Sequence, residues 1–166
     1  GPLTPVTRGL VCRTRKIQLR FDTLPTRAEW QELARQTNFV GAHARLNLAR
    51  LNRGETLPTR LPYFIQTWIF GDDLAMVFLP GEAVVDYSLR LKRELDRGRL
   101  WVNAYANDVP CYIPSERILS EGGYEGGGAM VYYDKPARFA PGLENQIVST
   151  VRELVPVDFA TKPHTN

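Results

Sequence analysis

Histidine is scarce in this chain. Of 166 residues only His43 and His164 carry an imidazole. A catalytic zinc normally rests on three protein ligands, often histidines, so these residues alone do not supply a histidine-rich metal centre. Cysteine is equally scarce: Cys12 and Cys111 lie far apart in sequence, and no CxxC occurs. That excludes a disulfide framework and disfavours a cysteine zinc site, while leaving open whether the two pair. No apolar run reaches the length of a membrane-spanning helix, and no signal peptide is present. There is no GxSxG, HExxH, P-loop or GxGxxG leading into a helix. "GGYEGGG" lacks the Lys-Ser/Thr that a phosphate cradle needs.

What is there is an ordinary globular composition, with 43% hydrophobic and 23% charged residues. The length suits one domain with a real core, or a piece of a larger one. The net charge of +3 is mildly basic, but the Lys and Arg side chains are scattered. The densest group, Arg13, Arg15, Lys16 and Arg20, alternates as the solvated face of a strand would. Nucleic acid is therefore not an expected partner.

"CRTRKIQLRFD" (12–22) has the two-residue period of a half-buried strand, with Ile17, Leu19 and Phe21 on one side. Thr26 and Glu29 have capping-box spacing and predict a helix start, with Trp30, Leu33 and Ala34 as its apolar stripe. A second helix is expected through Val40, Ala44, Leu48 and Leu51, ended by Gly54. It would carry His43 as an ordinary partly buried or surface residue. "ETLPTRLPY" (55–63) reads as a connector. "FIQTWIF" and "LAMVFL" around "GDD" predict a hairpin, its second strand covered on both faces. Pro80-Gly81 ends that strand, and a helix follows from about Ala83 to Leu95. "LWVNAYAN" (100–107) is a further strand, and a short helix should follow Ser115. "EGGYEGGG" (121–128) reads as a loop whose backbone can come close to something. A last helix is expected over Gly142–Val155, then a flexible tail over 156–166.

Strands alternating with helices predict an α/β or α+β fold: a layered sheet with a central β-hairpin and helices packed on it, as a single domain. Ligands in such sheets bind at the carboxyl ends of strands. Three unusual segments fall there: Pro80-Gly81-Glu82, Asn107–Ser115 and the glycines around Tyr124. Glu82, rigidly set by Pro-Gly, suits either the first turn of a helix, where a carboxylate favours the dipole, or a cation. Tyr112, between Pro110 and Pro114, is either a packing residue or a pinned phenol able to ligate or donate a proton.

"LPYFIQTWIFGDDLAMVFLPGEAVVDYSLRLKREL" and "VNAYANDVPCYIPSERILSEGGYEGGGAMVYY" resemble the neutral/alkaline non-lysosomal ceramidase family, over roughly residues 61–133. The most specific pieces are "PGE", the "N…YIPS" segment and "YEG". The resemblance implies the carboxyl-terminal part of a zinc-dependent amidase domain. The family's enzymes hydrolyse the N-acyl bond of ceramide, a sphingolipid. It implies Glu82 and Tyr112 as zinc ligands, and Tyr124 as the phenol facing the reaction centre. No counterpart is found for the family's two zinc histidines or its serine-bearing segment. The Zn2+ would therefore be completed by residues of an amino-terminal portion outside this chain. Gly126, Gly127, Gly128 and Ala129 also replace the family's usual small residues followed by a hydroxyl residue. The substrate implied is a lipid-like N-acyl amide, and the implied compartment is extracytoplasmic. The alternative is a non-catalytic scaffold of the same type that binds a lipid or protein partner.

Overall fold

A computed structural model describes residues 5–160. In chain order the elements are β1 (Leu10–Arg20), α1 (Arg27–Leu33), α2 (Phe39–Asn52), β2 (Arg60–Phe70), β3 (Leu74–Phe78), β4 (Glu82–Ala83), α3 (Val85–Glu94), β5 (Leu100–Asn103), β6 (Tyr112–Ile113), α4 (Glu116–Glu121), α5 (Gly123–Gly126) and α6 (Leu143–Leu154). Two 3-10 turns, Gly128–Tyr133 and Val157–Phe159, complete the set. The fold is mixed α/β, a four-stranded mixed sheet with helices packed against it. The chain divides into two compact units, and both are discontinuous in sequence. The first holds the amino-terminal residues through Ile17, Tyr63–Val109 and the residues from Glu144. The second holds Gln18–Pro62 and Pro110–Leu143.

The first unit is built on the hairpin. The strand order is β1-β2-β3-β5, so the β2–β3 pair is central, as its apolar content predicts. Gln66 pairs with Phe78 and Phe70 with Leu74 across the Gly71–Asp73 turn. β2 starts at Arg60, inside the expected connector, and strict alternation buries Leu61, Tyr63, Ile65, Thr67 and Ile69. On β3, alternation also wins over the uniform apolar run. Ala75, Val77 and Leu79 are buried, while Leu74, Met76 and Phe78 are half-covered. The second face is sheltered only in part, for example by the Trp68 ring 4.7 Å from that of Phe78. The helix after β3 returns the chain to a parallel strand, with Ala75 opposite Leu100 and Phe78 opposite Asn103. α6 buries Ile147, Val148 and Val151, and Arg90 clasps Glu94 at 2.8 Å and Glu144 at 2.9 Å. The expected tail is fastened at its start: Phe159 is fully buried, its carbonyl accepts from Asp96 N–H at 2.6 Å, and Ala160 bridges Leu95. The remainder, 161–166 with His164, lies outside the described residues.

In the second unit the predicted capping box is complete. The Thr26 hydroxyl accepts from Glu29 N–H, and the Glu29 carboxylate accepts from Thr26 N–H. Ser115 caps α4 with its hydroxyl alone, which accepts from Ile118 N–H at 3.2 Å. The glycine stretch differs from the expected loop. It forms the single turn α5 and then a 3-10 turn. Glycine's helix penalty is a matter of conformational entropy, and close packing overrides it here. A Cβ on Gly126 would stand 2.5 Å from the Ile118 carbonyl oxygen, so α5 folds against the backbone of α4 as no side-chain-bearing residue could. Gly126→Ala is expected to lower the unfolding free energy by about 1–3 kcal/mol, read from urea denaturation midpoints. An unchanged midpoint would mean that this close approach does not hold the segment.

Candidate functional site

Parallel neighbours end on the same side of a sheet, so the chain leaving β3 and the chain leaving β5 emerge together. The main chain stitches the two exits. Leu79 N–H donates to Asn103 O at 2.9 Å, Ala106 N–H to Leu79 O at 3.2 Å, Tyr105 N–H to Gly81 O at 2.9 Å and Gly81 N–H to Asp108 O at 2.8 Å. Gly81 has φ +75, which glycine adopts without a Cβ penalty. Before it, the carbonyl of Pro80 accepts from the buried Tyr63 hydroxyl at 2.9 Å. The segment carrying Glu82 is therefore held from the hairpin on one side and from the β5 exit on the other.

Glu82 lies in β4, half-buried, three residues ahead of the first residue of α3. This corrects the reading in which it sits in the first turn of the helix. Val84 is the N-cap and makes no side-chain cap, and Asp86 is the first-turn acid. After Pro80-Gly81 the chain runs extended through Glu82 and Ala83 before the helix begins, and the carboxylate meets a partner outside the helix. The Tyr105 hydroxyl donates to Glu82 Oε2 at 2.7 Å. That hydrogen bond, with the carboxylate's charge, holds the phenol's pKa above its ordinary value. Tyr105 and Asn107 both take left-handed backbone, with φ of +55 and +67. Asn107 Nδ2 donates to Gln66 Oε1 at 3.3 Å.

Tyr112 and Tyr124 belong to the second unit and are brought together. Strand alternation buries Cys111 and Ile113 and turns Tyr112 the other way. Its ring meets Tyr124 edge-on at 5.5 Å and Tyr133 at 6.2 Å. Tyr124 is 56% exposed, and its ring lies 6.0 Å from that of Tyr132, which in turn packs on Phe39 at 4.8 Å. Neither Cys12, which is exposed, nor Cys111, which is buried, forms a disulfide.

Sequence reasoning missed a polar cluster on α2. His43, Asn47 and Arg50 share one helix face by their spacing, a signal readable in advance. Asp134, which gathers them, is 84 residues beyond Arg50. Arg50 grips Asp134 with two bonds, at 2.7 and 2.5 Å. His43 is buried, with its ring edge-on to Trp30 at 5.7 Å. Its Nε2 lies 3.0 Å from Asn47 Nδ2. Asp134 Oδ1 stands 3.5 Å from the same nitrogen. Burial pushes the His43 pKa down, the Asp134 charge pulls it up, and Arg50 adds to the lowering. The Arg50 hydrogen bonds hold Asp134 below its usual carboxylate value.

Among the described residues no group of three or more His, Cys, Asp and Glu gathers as a metal site, and no helix is long and apolar enough to cross a membrane. Comparison with known families, with characterised proteins and with solved structures returned no match.

Because the folded state resists protonating His43, its contribution to stability is present above the ordinary imidazole pKa of 6.5 and declines as pH falls below it. Unfolding free energy measured at pH values descending from neutrality should slope down below 6.5, and His43→Gln should flatten that slope. An identical slope in the variant would place its origin elsewhere.

Proposed function

We propose that this chain is a portion of a ceramidase-like zinc amidase that hydrolyses an N-acyl amide bond, and that it contributes part of the metal site. The observation that carries the reading is the setting of Glu82, a carboxylate anchored at a strand exit and accepting from an O–H donor. A carboxylate is the hard oxygen donor type that a divalent cation takes. The donor types suit the group that the resemblance implies: Glu82 offers a carboxylate, Tyr112 a phenol, and the resemblance leaves the imidazoles to an amino-terminal portion of the parent protein.

When bound, zinc supplies Lewis acidity toward the amide carbonyl. Glu82 contributes negative charge that favours cation binding. Tyr112 contributes a phenol oxygen on a short strand whose neighbours, Cys111 and Ile113, are locked in the core. Tyr124, exposed and edge-on to Tyr112, has the role of hydrogen-bond donor to the oxygen on which charge develops. Such a donor acts only as the reaction proceeds and so lowers the barrier more than it tightens substrate binding.

Zinc titration by calorimetry tests the reading on this chain alone and on the chain joined to the amino-terminal portion of its parent. Tight binding at one equivalent is expected only in the joined protein, with Glu82→Ala and Tyr112→Phe each weakening it at least about tenfold. Tyr124→Phe should lower kcat on an N-acyl amide by roughly a hundredfold or more with little change in KM. Failure of the joined protein to bind zinc would remove the amidase reading and leave the non-catalytic scaffold.

A further inference from the structure

We infer that Tyr105 is a positioning residue that fixes the orientation of the Glu82 carboxylate. The inference rests on Glu82 being a metal ligand, as proposed above. Four observations meet at this residue. Its hydroxyl reaches Glu82 Oε2 at 2.7 Å, the short distance of a charge-assisted bond. Its main-chain N–H binds the carbonyl of Gly81, the residue before Glu82. One residue therefore holds both the backbone that presents the carboxylate and one of the carboxylate oxygens. Its backbone is left-handed, with φ +55. Asparagine tolerates that region, as Asn107 does two residues on, but an aromatic residue rarely adopts it. Finally, Tyr105 is 61% exposed, so core packing does not explain a large ring in a strained backbone. Its hydroxyl contact does.

The physical role follows from what a carboxylate ligand needs. A glutamate side chain has three rotatable bonds, and a cation must otherwise order them all when it binds. A donor on Oε2 restrains those rotations beforehand and orients the oxygens. Partners of this kind commonly hold metal ligands, and their loss weakens metal binding without removing any ligand.

Tyr105→Phe removes the hydroxyl and keeps the ring. In the joined protein, zinc affinity should fall roughly 10–100-fold. The visible absorption of the cobalt-substituted form should shift, since the ligand field responds to carboxylate orientation. The unfolding midpoint of the metal-free protein should stay where it was. Glu82→Ala is measured alongside. If Glu82→Ala abolishes zinc binding while Tyr105→Phe changes neither affinity nor spectrum, the positioning role is overturned and the zinc reading stands. If Glu82→Ala leaves zinc binding intact, both fall. A loss of affinity in Tyr105→Phe matched by an equal loss of metal-free stability would mark Tyr105 as structural and also overturn the inference.

Discussion

The parallel pairing of β3 with β5 brings two chain exits to one end of the sheet, and much of the local chemistry follows from it. An antiparallel neighbour would have sent the second exit to the opposite end. With both exits together, the backbone groups that leave the ladder at Leu79 and Asn103 still need partners. They find them in each other and in the residues that follow. Gly81 is the pivot, because its positive φ turns the chain while its N–H and C=O are both bonded to the β5 exit. Glu82 inherits its place from that arrangement.

The same constraint explains why the acid is not a helix cap. The turn at Pro80-Gly81 is occupied in bonding to Tyr63, Tyr105 and Asp108. Three extended residues, Glu82, Ala83 and Val84, intervene before α3 starts, and Asp86 meets the helix dipole instead.

The second unit solves a different problem with similar means. Its short helices α4 and α5 have little length over which to gain stability, so close backbone approach and side-chain caps hold them. The buried side of α2 is more polar than the expected stripe of Val40, Ala44, Leu48 and Leu51. His43 and Asn47 are buried there, alongside Ala44. Asp134 and Arg50 satisfy each other and face the imidazole, so the buried polar groups have partners rather than an uncompensated desolvation cost.

The features legible from the sequence were those set by neighbours in the chain. The Thr26–Glu29 box, the Ser115 cap, the GDD hairpin and the apolar face of α6 each depend on residues within a few positions, and local geometry alone decides them. The residue types at Glu82, Tyr112 and Tyr124 were readable in the same sense, as side chains worth watching beside chain-breaking prolines and glycines. Pairings over long sequence separation were not readable. Tyr105 meets Glu82 across 23 residues and Arg50 meets Asp134 across 84. Neither pairing exists until a parallel strand or a packed turn brings the segments together. The glycine run became helical for the same reason: its neighbour across space, not its own propensity, supplied the deciding energy. The division of one chain into two units, each discontinuous in sequence, was also decided there, since chain that leaves a unit and returns to it carries no linker composition to announce the boundary.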